Sequence, residues 1–181
     1  MPIVFEKASQ DVRDLLNLVI QEYHQELSEA GVKVGILMQT KFDEDDQELP
    51  SLRCHGAMAN AVIKVVSRKD RTYRDDDVSI TIDAVIWKSL SERCKKALLD
   101  HELTHLVVKH DPKTQAIKRD DLNRTCLAMI PDDFTLTGFL EVVERHQDAA
   151  LEYQSVTRIN AAVLNAAKKV ASQVSELAAA S

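Results

Sequence analysis

SLSERCKKALLDHELTHLVVKHD, residues 89–111, is the stretch on which the reading of this chain turns. Ser89 and Glu92 stand in the S-x-x-E spacing of a capping box, and neither Gly nor Pro interrupts the run before Pro112. The pattern predicts one helix reaching His110. Pro112 ends it, because a residue that precedes proline is pushed out of the helical region. Leu99, Leu103 and Leu106 fall on one side of that helix and form its apolar seam, while Arg93, Lys96, Asp100 and Thr104 read as a solvated stripe. His101 and His105 lie roughly opposite the seam, four residues apart, so one imidazole stands a turn above the other and both can converge on one ion. That is half of a tetrahedral zinc site. Glu102 is about 100° round from His101, close enough to take a proton from water that zinc has acidified without being a ligand itself.

A third protein donor is needed, and the residues offer several. Asp111 lies six positions after His105, where one kind of zinc site takes its last ligand, but Val108 stands where such a site needs a helix-breaking Gly. His110 is its neighbour. Further on, FLEVVERHQD, residues 139–148, offers Glu141, Glu144 and His146 on a second helix; one reading takes Glu144, with Asp148 one turn later to support it, and the other takes His146 as a third imidazole.

Working outward, Val12, Leu15, Leu16, Val19, Ile20 and Tyr23 have helical spacing, with Ser9 as N-cap and Gly31 past the end, so residues 9–30 predict an amphipathic helix. GVKVGILMQTKF, residues 31–42, reads as a strand followed by an acidic loop. Residues 59–66 and 78–84 are further strands; Val78, Ile80 and Ile82 alternate with polar residues, and this strand is the expected edge for pairing with an extended peptide. The charged run between them, residues 67–77, reads as a solvated hairpin loop. CLAMIP, residues 126–131, predicts a buried strand, and Asp132 or Asp133 caps a helix reaching about His146. Residues 148–181 contain no Gly or Pro and predict a long alanine-rich helix that packs back on the domain or pairs with a second copy, with no chemistry of its own.

The chain has 181 residues, the size of one domain with an appended helix. It is 45% hydrophobic and 29% charged, which argues for a real core, and its 4% of aromatic residues means that Leu, Val, Ile and Ala must build it. The net charge of −6 leaves no basic stripe for phosphate backbones, so no nucleic-acid partner is expected. Cys54, Cys94 and Cys126 suggest neither a disulfide framework nor a metal knuckle. With no secretory signal pattern and no apolar run of membrane-spanning length, the expectation is a cytoplasmic protein without a membrane partner.

DHELTH after an alternating strand, the segment with Trp87, and the V-x-x-x-H run from Val142 to His146 together resemble the phage metallopeptidases, small HExxH proteins of bacteriophages and prophages. More distantly the chain is similar to minimal zincins such as the SprT-like proteases. The resemblance covers roughly residues 31–146. In that family a Gly often follows the downstream His; Gln147 stands here. The resemblance implies phage origin, hence the host cytoplasm, and points to His146 as the third ligand.

The expectation is therefore an α+β minimal zincin, with a small, mostly antiparallel sheet, an N-terminal helix and the HExxH helix over residues 1–147, and a C-terminal helix over 148–181. Zinc would be held by His101, His105 and His146, or by Glu144 in place of the last, with Glu102 as general base in hydrolysis of a protein or peptide. The rival expectation is a non-catalytic, zinc-containing protein that binds a host factor.

Overall fold

The computed structural model describes residues 2–131 and 139–158. Strand β1 (Ile3–Lys7), which the sequence pattern did not suggest, leads into helix α1 (Gln10–Tyr23), with Ser9 at its N-cap, and a short α2 (Gln25–Glu29). The single expected helix breaks at His24, whose φ of −127° and ψ of 48° leave the helical region. The break has a tertiary cause, since the His24 imidazole is drawn onto Asp100. Gly31 follows with φ 68°, the left-handed turn for which glycine lacks a steric penalty.

Strand β2 (Val34–Phe42) is the longest and pairs with β1, with the short β3 (Glu48–Leu49) and with β7 (Val78–Asp83). Between β3 and β7 come a small hairpin, β4 (Arg53–Cys54) with β5 (Ala57–Met58), and strand β6 (Ala61–Val65). The main sheet has the order β1-β2-β7-β6; β2 and β7 run parallel and the other pairings are antiparallel. It is a mixed sheet, because a long stretch of chain between β2 and β7 lets β7 return in the same direction as β2. β7 is flanked on both sides, so it cannot accept a peptide as an added strand. The outer strand on that side, among the described residues, is β6.

β7 runs into α3 (Ala84–Ser89), capped by Asp83. Helix α4 (Glu92–Thr104) then packs its leucines into one core with the sheet and is capped by Ser91, whose side chain accepts from the Cys94 N–H. The helix thus starts at Ser91 rather than Ser89, and it stops at His105 rather than His110. Leu106, Val107 and Val108 instead form β8 (Leu106–Val108), antiparallel to β9 (Leu127–Met129). β-Branched valines fit a strand as well as a helix, and the partner strand decided between them.

Val12, Leu16 and Val19 of α1, Leu98, Leu99 and Leu103 of α4, and Ile36, Ile63, Val78, Ile80 and Ile82 of the sheet form the core. Each such aliphatic side chain contributes about 1.5–3 kcal/mol by leaving water. The loop between β6 and β7 is less solvated than its charge suggested. Arg71 and Asp77 are buried in it, and Arg124 donates to Asp77 Oδ1 at 2.8 Å and to three backbone carbonyls, which ties this loop to residues 119–125.

Helix α5 (Leu140–His146) and a turn of 3-10 helix at Gln147–Ala149 follow, and residues 151–158 are helical again. Gln147 has φ 51°, in the region that favours glycine, and redirects the chain so that Ala149, Ala150 and Glu152 are buried. The expected caps Asp132 and Asp133 and the expected helix beyond 158 lie outside the described residues.

Candidate metal centre

The two histidines of the HExxH pattern close α4: His101 is in its last turn and His105 is its C-cap. Their rings approach edge to face with centroids 5.1 Å apart. Phe139, almost wholly buried, packs against both, at 5.2 Å from His101 and 4.6 Å from His105. Glu102 is buried to all but 5% and lines the same cleft as the two imidazoles.

Each ring is fixed through Nδ1. His105 Nδ1 is 2.8 Å from the Ile130 carbonyl, and the Ile130 N–H returns a bond to the His105 carbonyl at 2.8 Å. A carbonyl can only accept, so His105 carries its proton on Nδ1. His101 Nδ1 lies 2.5 Å from Glu152 Oε1. A carboxylate accepts, so Nδ1–H of His101 is the donor; burial raises the Glu152 pKa, but the bond and charge of His101 outweigh it and hold the carboxyl below the ordinary glutamate value. In a neutral imidazole this puts the lone pair on Nε2, the nitrogen through which such a ring ligates a metal. Neither Ile130 nor Glu152 was legible in the sequence; the first acts through its backbone, and the second lies fifty-one positions from its partner.

The cleft has a volume of about 670 Å³. One wall is β6, through Ala61, Val62 and Ile63; others are the hairpin bearing Cys54, His55 and Met58, and the chain at Met129–Pro131. The hairpin is held in place from below, because buried Asp83 accepts from the N–H groups of Ser51 and Leu52 as well as capping α3. No Lys or Arg is among the described residues that line the cleft.

The expected third ligand is elsewhere. His146 is buried with its Nε2 2.7 Å from Asp100 Oδ2 and its ring edge-on to Tyr23. Asp100 explains the displacement. Read as part of a solvated stripe, it is fully buried and also accepts from His24 Nε2 at 2.7 Å and from Arg145 Nη1 at 2.9 and 3.1 Å. One turn of α5 therefore turns toward Asp100 rather than toward the cleft. Glu144 and Asp148 are exposed, the latter paired with Arg93, while Asp111 caps its own turn through the Lys113 and Thr114 N–H groups. His110 reaches Glu26, at 3.6 Å. Among the described residues, no group of three His, Cys, Asp or Glu is assembled that could hold a metal. The donor set still fits zinc in type: two imidazoles with their tautomers fixed, beside a carboxylate.

His101, Glu102 and His105 of one helix and its C-cap thus line a single cleft. The chain belongs to the family described as Putative phage metallopeptidase, whose family model matches residues 4–173. That span extends on both sides of residues 31–146, where the motifs lie. Membership implies a divalent metal, commonly zinc. No curated protein and no solved structure matches the chain. No helix among the described residues is long and apolar enough to cross a membrane.

Proposed function

We propose that this chain is a zinc-dependent peptidase of phage or prophage origin that hydrolyses a peptide bond of an extended substrate. The observation that carries the reading is the pair His101 and His105, each held at Nδ1 by an acceptor, with Glu102 in the same cleft. His101 and His105 would hold the ion through Nε2. Zinc, when bound there, supplies Lewis acidity and brings the pKa of water toward neutrality. Glu102 takes the proton from the attacking water and returns it to the leaving amine, the task of a positioned general base and acid.

The substrate would lie along β6, an outer strand among the described residues that lines the cleft, and would add to it as an extended peptide by backbone pairing. Met58, Met129 and Ile130 are large apolar side chains left exposed at the cleft, and they favour a substrate with an apolar residue near the scissile bond. The lining without Lys or Arg speaks against phosphoesters, whose charge needs cationic partners.

Metal analysis of the purified chain should find about one zinc per chain, lost on His101→Ala. Glu102→Gln should keep the zinc and the fold while hydrolysis of a peptide library falls by about 10²–10⁴-fold, the usual contribution of a general base. Equal activity of both forms would sink the peptidase mechanism and leave the non-catalytic, host-binding protein as the reading.

A further inference from the structure

Glu152 belongs to the stretch that the sequence pattern marked as free of chemistry, yet it ends against the first histidine of the site. It is buried to all but 4%; Oε1 sits 2.5 Å from His101 Nδ1, and Oε2 is buried with no hydrogen-bond partner. A buried carboxylate with one oxygen unpartnered is costly unless a positive charge compensates it. His101 reaches only one of the two oxygens.

We propose that Glu152 is a positioning residue of the metal centre, acting through His101. It holds the ring in the Nδ1–H tautomer with Nε2 toward the cleft, increases the donor strength of Nε2, and places a negative charge behind the ring that a divalent ion on the far side balances. This rests on the metal reading of the cleft. The carboxylate thus works in opposite senses in the two states of the protein: it burdens the metal-free chain and tightens the hold on the ion. At His105, Nδ1 is bonded to a backbone carbonyl instead.

Glu152→Gln keeps the acceptor and the shape but removes the charge. Chelator competition should show zinc affinity lowered by about 10- to 100-fold, the usual effect of losing such a partner. The melting temperature of the metal-free variant should equal or exceed that of metal-free wild type. Cobalt substituted for zinc should give the same ligand-field band positions in both chains. In metal-free wild type, histidine nitrogen NMR should find the His101 proton on Nδ1, and Glu152→Ala should give mixed tautomers.

Unchanged zinc affinity in the Gln variant overturns the proposal. So does a lower metal-free melting temperature that accounts for the affinity loss, which would make Glu152 a merely structural residue. A cobalt spectrum that reports a changed ligand set overturns it in favour of direct ligation. A wild-type chain that takes up no zinc overturns the metal reading and this proposal together, whereas equal binding by wild type and Gln variant overturns this proposal alone.

Discussion

Asp100 and Glu152 are both buried carboxylates that accept hydrogen bonds from imidazoles; Asp100 is a residue of α4, and Glu152 reaches the next residue of that helix, His101. Asp100 is surrounded: His24 and His146 each donate through Nε2, and Arg145 reaches both oxygens. Burial pushes its pKa up, but the bonds from His24 and His146 and the Arg145 charge outweigh burial and hold it below the ordinary aspartate value. Glu152 has His101 on one oxygen and no hydrogen-bond partner on the other. The difference separates two jobs. A carboxylate whose partners include a cation joins α4 to the junction of α1 and α2 and to α5, and stabilises the fold. The other keeps one oxygen without a hydrogen-bond partner, and the histidine on its other oxygen belongs to the candidate metal centre.

The comparison breaks most visibly at Asp100. Asp100→Ala leaves Arg145 and two imidazoles without their acceptor, and chemical denaturation should show a loss of about 3–5 kcal/mol, the usual effect of removing one partner from a buried ion pair. If the variant is as stable as wild type, the cluster does not hold these helices together. Next in size is His146→Ala, which removes one bond to a charged acceptor and should lower stability by about 1.5–3 kcal/mol. Zinc affinity should be unchanged; a large fall would return His146 to the ligand set.

The smallest effect is on the acid limb. Because the folded pKa of Asp100 lies below its ordinary 3.8, ionisation adds stability above that value, and the contribution is lost as pH falls through the lower folded value. Stability measured from neutral pH to about pH 2 should fall less steeply at the acid end in Asp100→Asn than in wild type, since aspartate titrates near 3.9 when unfolded. Parallel curves would assign the acid sensitivity to other carboxylates.

Much that depends on short spacings was legible in the sequence. Ser9 and Gly31 bound the first helical stretch, the alternation of Val78, Ile80 and Ile82 marks β7, and the four-residue step from His101 to His105 places both rings in one cleft. The readings that failed depended on partners distant in sequence. Residues 106–108 have apolar character that suits either state, and pairing with Leu127–Met129 made them a strand. Asp100 looks solvated on a helical wheel, which shows spacing but not what packs on a face. His146 resembled a ligand because its chemistry was right, although its direction depends on Asp100 and Tyr23.

By itself, then, the sequence determined the helix that bears the histidines, the residue types able to hold and assist a metal, and the α+β class, because backbone periodicity and capping are local. The tertiary structure decided that β6 rather than β7 is the outer strand beside the cleft, and that Ile130 and Glu152 orient the two rings while Asp100 claims His146. Those outcomes follow from which buried polar groups find each other once water is excluded, and a buried carboxylate selects its donors by proximity in space rather than along the chain.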